Sequence, residues 1–303
     1  MSAPAAPMRQ GLWLGLLGVT MFAATLPMTR VATGTADAPQ LSALFIAMGR
    51  AAVAALLSLV YLGLTRAPWP PRRSWPALAM TAAGVVLGFP LFTSWAMRHV
   101  QAIHASVIIG LLPLATALVG AWLHRQRPSP GFWACALAGS GLVVAYVLTR
   151  SEGPGLHLQA ADALLLAAVA CAALGYGYGA RLSQQMRAEH VICWALVLAL
   201  PLTLPLTWAS APANTGFDAI KSEAWWAFGY VAVFSMWLGF FAWYRGLALG
   251  GTVHVSQVQL LQPFLSMLIA VPLLGETLDT TTLLFALAVI ATVFIGKRMP
   301  VAT

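Results

Sequence analysis

The chain has 303 residues, of which 60% are hydrophobic and only 8% are charged. A soluble domain averages about 25% charged residues, so this composition excludes a sizeable water-soluble domain and indicates an integral membrane protein. The net charge of +8 does not indicate nucleic-acid binding, because the basic residues lie in short segments between apolar runs and form no single patch.

Ten apolar runs follow one another along the chain, each near the length that a helix needs to cross a bilayer. The first, Gly11 to Met28, is too long for the core of a signal peptide and lacks a convincing cleavage site, so we expect it to be retained. The predicted spans are residues 11–31, 40–64, 75–97, 101–123, 131–149, 160–180, 190–209, 224–247, 252–274 and 280–297.

The basic residues predict the orientation of these spans. Lys and Arg concentrate on the cytoplasmic side of membrane proteins. If the N-terminus is cytoplasmic, eleven basic residues lie inside, four lie outside, and Arg50 lies within a span. Seven of the eight acidic residues then fall outside, with Glu189 as the exception. We therefore predict that both termini are cytoplasmic.

The two halves of the chain share a sequence pattern. An offset of 150 residues pairs His104 with His254, Ser106 with Ser256 and Pro113 with Pro263. The predicted repeats are residues 1–150 and 151–303, with five spans each. Because five is odd, the second repeat enters the membrane from the opposite side, as in the inverted repeats of many transporters. The predicted fold is therefore an all-α membrane protein of ten helices, in two inverted five-helix repeats around a central cavity.

Two segments carry a resemblance to a known family. They are Ala-Met-Arg-His-Val…His-Ala-Ser…Leu-Leu-Pro at 96–113 and Leu-Gly-Glu-Thr-Leu at 274–278. They resemble the EamA-type repeats of the drug/metabolite transporter superfamily, and within it the chain is most similar to the bacterial aromatic amino acid exporters (YddG-like). The resemblance implies alternating access and export of Phe, Tyr and Trp, with tolerance for Met and Thr, across the bacterial inner membrane.

Aromatic residues of the eighth span are the first candidates for substrate binding. Tyr230, Phe234, Trp237, Phe241 and Tyr244 recur at steps of three and four residues, which predicts one helical face. Two interpretations remain open, a cavity lining and ordinary packing. We expect Trp237, Phe241 and Tyr244 to bind substrate, together with Trp95.

Polar residues of the ninth span form a second candidate. Ser256, Gln259, Gln262 and Ser266 have helical spacing, and polar side chains are costly in lipid, so this stripe faces protein or a wet cavity. Hydrogen bonding between helices is the alternative to recognition. We expect Ser256, Gln259 and Gln262 to contact substrate.

The glycine-rich run Gly175-Tyr-Gly-Tyr-Gly179 is not a dinucleotide-binding loop, because no strand precedes it and it lies within an apolar span. Close helix packing is its simplest role, and we expect Tyr176 and Tyr178 to reach the cavity. Arg50 is charged within a span, which makes it a functional candidate, although we favour a structural role.

The repeat also contains a pair of matching prolines and a pair of matching histidines. Pro113 and Pro263 are predicted hinges, because proline removes a backbone hydrogen bond and permits a bend. His104 and His254 each begin a helix, where a structural role competes with proton coupling. Asp162, Glu223 and Glu276 lie near span ends rather than at mid-membrane, which favours facilitated export. A proton-coupled exporter of drugs or other metabolites is the alternative.

An enzyme, a metal site and a cofactor are not expected. The chain lacks the HExxH and GxSxG motifs of hydrolases, and its cysteines, Cys135, Cys171 and Cys193, have no CxxC spacing. The expected partners are small-molecule substrates, namely amino acids, and the lipid bilayer, and the sequence leaves the oligomeric state open.

Overall fold

The computed structural model describes residues 5–123, 127–150, 160–212, 216–250, 255, 257–299 and 301–302. Within these residues the fold is helical apart from one pair of two-residue strands, β1 (Arg127–Pro128) and β2 (Val301–Ala302), which are antiparallel. The α-helices are α1 Ala5–Ala23, α2 Thr25–Thr33, α3 Ala43–Leu64, α4 Trp75–Thr81, α5 Phe89–Ala96, α6 Ala102–Ile109, α7 Leu112–Leu123, α8 Pro130–Arg150, α9 Ala160–Leu182, α10 Ala188–Ala209, α11 Ser222–Tyr230, α12 Gly239–Gly250, α13 Gln262–Leu274 and α14 Thr280–Arg298.

Seven helical segments among the described residues are long and apolar enough to cross a membrane. They are Met8–Thr33, Ala43–Leu64, Arg72–Ala96, Ala102–Gly120, Ala160–Leu182, Ala188–Ala209 and Ser222–Leu249. Three shorter apolar helices, Trp133–Val143, Val258–Leu274 and Thr280–Thr292, lie where the fifth, ninth and tenth spans are predicted. A full count of ten spans therefore stays a prediction.

The third and eighth spans are both interrupted by π-helix. The π-helical segments are Ala82–Gly88, between α4 and α5, and Val231–Leu238, between α11 and α12. A π-helix bonds residue i to residue i+5, which widens the helix locally, and such segments are frequent at functional sites. The same irregularity thus occurs at matching places in the two halves.

The fourth and ninth spans are broken near their predicted hinges. Helix α6 ends at Ile109 and α7 begins at Leu112, whereas a 3-10 turn, Gln257–Leu261, precedes α13. Pro113 and Pro263 are each the second residue of the helix after the break, where proline fits because that position needs no backbone N–H. The breaks lie close together, since the Ser106 hydroxyl donates to the Ser266 hydroxyl at 2.9 Å.

The spans of the two halves pack in pairs that are symmetric between the halves. The first span contacts the eighth, through α1 with α12 and α2 with α11, and the sixth contacts the third, through α9 with α4 and α5. Three further pairs join the second to the seventh span (α3 with α10), the fourth to the ninth (α6 with α13) and the fifth to the tenth (α8 with α14). Exchanging the halves leaves these pairings unchanged.

Contacts near the helix ends fall into two sets. In one set, Arg98 donates to the Leu41 carbonyl at 3.0 Å and the Lys221 backbone N–H donates to the side chain of Gln40 at 2.9 Å. Gln40 and Leu41 precede the second span, Lys221 precedes the eighth, and Arg98 follows the third. In the other set, Arg245 lies 3.4 Å from Glu189, between the last turns of the eighth span and the start of the seventh. The second and eighth spans therefore begin at the end of the molecule where the third span finishes.

Candidate functional site

A small cavity lies between the two halves, at the level of the π-helical segments. Its apolar lining is Phe22, Val85, Phe89, Met236 and Phe240, and its polar lining is Thr25, Arg50, Tyr176, Ser235 and Gln262. The centre of a water molecule has about 20 Å³ available there, which suits about one water. The structure is thus closed around this cavity, with no room for an amino acid.

Arg50 is the charged residue of the cavity. Its side chain is buried, with 2% of the residue exposed, and its Nη2 donates to the Ser235 hydroxyl at 2.7 Å. The hydroxyls of Ser235 and Thr25 lie 2.7 Å apart. The Nε and Nη1 atoms of Arg50 have no hydrogen-bond partner within the described part of the chain. A buried charge without a counterion is costly, which makes Arg50 a candidate for ligand binding.

Helix geometry brings these groups together. Ser235 and Met236 lie in one π-helical segment and Val85 lies in the other. Helix α9 approaches the third span closely at Gly175, where a methyl group would lie 2.8 Å from the Val85 backbone nitrogen. Real Cβ atoms essentially never approach so closely, so close packing as a role for this glycine is confirmed. Tyr176, the next residue, reaches the cavity lining.

The predicted site residues are distributed over several places. Tyr176 and Gln262 line the cavity. Gln259 is buried in the 3-10 turn, with its Nε2 unpartnered among described residues. Tyr178 is half-buried on α9, and Trp95 is 44% exposed on the outer surface of the third span. Ser256 and His254 lie outside the described residues.

The aromatic residues of the eighth span contact different partners, and their placement on one helical face stays a prediction. Trp237 and Phe241 pack together, with ring centroids 4.9 Å apart, and both contact Tyr61 of α3. Tyr244 is buried beside Phe240 at 5.5 Å, and Phe240 lines the cavity. A substrate role for Trp237, Phe241 and Tyr244 stays a prediction.

Sequence reasoning missed several lining residues. Thr25 and Ser235 are ordinary small polar residues in apolar spans, and Phe22 and Phe240 are ordinary aromatics. Comparison of the two repeats could have identified the polar lining residues. At the offset of 150 residues, Thr25 corresponds to Gly175 and Ser235 corresponds to Val85. A polar residue whose repeat counterpart has no polar side chain is a candidate for the site.

Two acidic residues hold helices together at one end of the molecule. The carboxylate of Asp162, near the start of α9, lies 2.7 Å from the His104 ring on α6. The carboxylate of Glu276 accepts hydrogen bonds from the backbone N–H groups of Ala102 and Ile103, both at 2.8 Å. An anion is favourable at a helix N-terminus, so Glu276 caps α6 from the other half.

Metal ligation has no support within the described ranges, where no three His, Cys, Asp or Glu side chains cluster as a metal site requires. The absence of a cofactor and of a metal stays a prediction.

Comparison with known proteins identifies the family. The model of the EamA-like transporter family matches residues 9–148 and, a second time, residues 159–296. The chain belongs to the EamA-like transporter family. It is 42% identical over 287 residues to the uncharacterized transporter YdeK of Bacillus subtilis (strain 168), covering 94% of this chain and 96% of that one. Its membership establishes a membrane transporter with a repeated domain, which agrees with the resemblance seen in the sequence.

Two more distant relatives add to this comparison. A probable terminal-alkyne amino-acid exporter of Streptantibioticus cattleyicolor is 24% identical over 292 residues, covering 95% of this chain and 94% of that protein. A solved crystal structure superimposes with a TM-score of 0.57 at 19% identity, covering 95% of this chain and 96% of the other. The latter similarity concerns the fold alone.

Proposed function

We propose that this transporter exports amino acids across the bacterial inner membrane by alternating access. The substrates are aromatic amino acids, Phe, Tyr and Trp, with tolerance for others such as Met and Thr. The observation that carries this proposal is the closed cavity between the halves, where aromatic rings and a few polar groups converge. Transporter sites commonly lie at such an interface between repeats.

The proposal includes ten spans in two inverted repeats, residues 1–150 and 151–303, with both termini cytoplasmic. Two observations support it. The family model matches twice, and the pairs of spans that pack together stay the same when the two halves are exchanged. An odd number of spans in each repeat then requires inversion.

The cavity lining supports a small substrate with an apolar side chain. The rings of Phe22 and Phe240 lie 5.0 Å apart in an edge-to-face arrangement, and Tyr176 lies 6.1 Å from Phe240. Aromatic walls add stacking energy to the burial of a ring. The similarity to an amino-acid exporter in Streptantibioticus cattleyicolor is a second, weaker support.

Opening of the cavity would use the irregular helices. The two helices interrupted before Pro113 and Pro263 contact each other through Ser106 and Ser266. The two π-helical segments flank the cavity. Such positions lack regular helix bonding and therefore bend more easily than a continuous helix. We propose facilitated export, because no acidic residue is among the described residues that line the cavity.

The alternative is a proton-coupled exporter of drugs or other metabolites. The contact between His104 and Asp162 is the observation that favours it, because histidine exchanges protons near neutral pH. This pair joins α6 to α9 and lies away from the cavity lining.

A transport assay in liposomes tests the proposed function. Purified protein is reconstituted, and efflux of a panel of labelled amino acids is followed with and without a pH gradient. We expect efflux of Phe, Tyr and Trp above that of protein-free liposomes, at a rate independent of the gradient. Absence of efflux for every amino acid would overturn the proposed function, whereas efflux driven by the gradient would favour the alternative.

A further inference from the structure

We infer that Arg50 binds the carboxylate of the exported substrate and that the substrate's amine is not required. This inference rests on the proposed export function and redefines its substrate class by the carboxylate. The class is small carboxylates with an aromatic or other apolar side chain, whether or not they carry an ammonium group.

The first reason is the hydrogen bonding of Arg50. Among the described residues its hydrogen-bond partner is the Ser235 hydroxyl, a neutral group, and its Nε and Nη1 atoms have no partner there. A guanidinium matches a carboxylate in shape and charge and forms stronger hydrogen bonds with it than with a neutral acceptor. Ser235 therefore occupies the Nη2 atom of Arg50 in this closed structure, and a carboxylate would be the better partner.

The second reason is the charge of the cavity. None of the described residues that line it is acidic, so none of them compensates the positive charge of Arg50. A buried charge in a membrane protein favours a partner of opposite charge. Inorganic anions would satisfy this requirement too, but they gain nothing from the surrounding rings of Phe22, Phe89 and Phe240, which suit an organic side chain.

The third reason concerns the amine. The polar lining offers it neutral groups, the side-chain oxygen of Gln262 and the Tyr176 hydroxyl, and the Gln262 oxygen has no partner among described residues. A hydroxyl group on the substrate could donate to that oxygen as an ammonium does. Loss of the ammonium should therefore weaken binding far less than loss of the carboxylate.

Binding to the purified full chain in lipid nanodiscs tests the inference. Titration calorimetry compares L-phenylalanine with L-phenylalaninamide, which lacks the carboxylate, and with 3-phenyllactate, which lacks the amine. We expect the amide to bind ~10- to 100-fold more weakly than phenylalanine, and phenyllactate to bind within about threefold of it.

Variants assign the effect to Arg50. In Arg50→Met, phenylalanine should bind ~10- to 100-fold more weakly and no better than its amide. The apolar replacement should fold, because it removes a buried charge whose desolvation no described counterion offsets. Arg50→Lys keeps the charge without the planar fork and should give an intermediate loss. Arg73→Met, at an exposed position, is the matched control and should bind as the wild type does.

The outcomes separate the inference from the proposed function. Equal binding of phenylalanine and its amide by the wild type would overturn the inference and leave amino acid export standing. Unchanged phenylalanine binding in folded Arg50→Met would also overturn it. Arg50-dependent binding of phenyllactate without binding of phenylalanine would support the carboxylate site and contradict the amino acid assignment. Displacement of phenylalanine by sodium chloride at equal concentration would reduce Arg50 to an inorganic anion site.

Discussion

The two halves build the same junction with different side chains. In one junction the hydroxyls of Thr25 and Ser235 meet at 2.7 Å and Ser235 accepts from Arg50. At the offset of 150 residues the counterparts are Gly175 and Val85, which also meet, but through a close approach of their backbones. Both junctions reach the cavity lining, but one is polar, whereas the other is apolar and fastens two spans together.

The same contrast extends to the remaining polar residues of the cavity. At this offset Arg50 corresponds to Leu200, Gln262 to Leu112, and Tyr176 to Leu26. Every polar lining residue therefore has a counterpart without a polar side chain. The repeated features, which are the helix breaks, the π-helical segments and the packing pairs, form the scaffold. Departures from the repeat form the site.

Breaking the apolar junction should have the largest effect. A Cβ at Gly175 would lie 2.5 Å from the Val85 Cγ1 atom and 2.8 Å from its backbone nitrogen, so Gly175→Ala should destabilise the protein by about 1–3 kcal/mol. Thermal unfolding of the detergent-solubilised protein measures it. Gly63→Ala is the control, because nothing lies within 4 Å of its Cβ position. Equal stability of the two variants would mean that the close approach is not tight.

Removal of an aromatic wall should lower transport next. Phe240 lines the cavity and Trp237 packs against Tyr61, so Phe240→Ala should reduce phenylalanine efflux by about tenfold and threonine efflux by less. The sequence predicts this selective loss for Trp237→Ala, and an equal loss of both substrates for Gln259→Ala. Liposome efflux of both amino acids compares the three variants. A selective loss in Trp237→Ala alone would indicate that the substrate binds near Trp237 and not in this cavity.

The paired breaks should respond alike. Pro113→Ala and Pro263→Ala remove the ring and restore the donor that a helix continuing across the break would need, so each should stiffen the break and slow efflux by roughly threefold. The elution profile in size-exclusion chromatography should remain that of the wild type. Wild-type rates in both variants would remove the hinge role from these residues.

Removal of the polar group at one junction should weaken binding modestly. Ser235→Ala deletes the neutral partner of Arg50 and should change phenylalanine affinity by about threefold or less, as expected for one neutral hydrogen bond. Val85→Ala, at the counterpart position in the same cavity lining, leaves the bond from Arg50 to Ser235 intact and should change the affinity less than Ser235→Ala does. Calorimetry measures the phenylalanine affinity of both variants. Equal changes in affinity would contradict a difference in function between the two junctions.

The smallest effect is expected at His104. If export is facilitated, His104→Gln and Asp162→Asn should keep wild-type efflux of phenylalanine, because their contact at 2.7 Å lies outside the cavity lining. The rate of efflux should also be independent of an imposed pH gradient. Loss of a gradient-dependent flux in either variant would assign proton coupling to this pair.

The sequence by itself determined the membrane class and the repeated domain, because composition and local apolar periods carry both. It also located Pro113 and Pro263 at matching helix breaks, since proline acts on its own helix. Helix rotation needed the tertiary structure, because lipid and a membrane protein's core are equally apolar and do not distinguish the faces of a uniformly apolar helix.

The site therefore emerged only from packing. Thr25, Arg50 and Ser235 come from three spans and meet because of how α2, α3 and a π-helical segment turn toward each other. The bonds from Ala102 and Ile103 to Glu276 likewise join the two halves. The π-helical segments Ala82–Gly88 and Val231–Leu238 were likewise visible only in the structure. No period in the sequence encodes them, because they follow from the bonding of the backbone within the packed bundle.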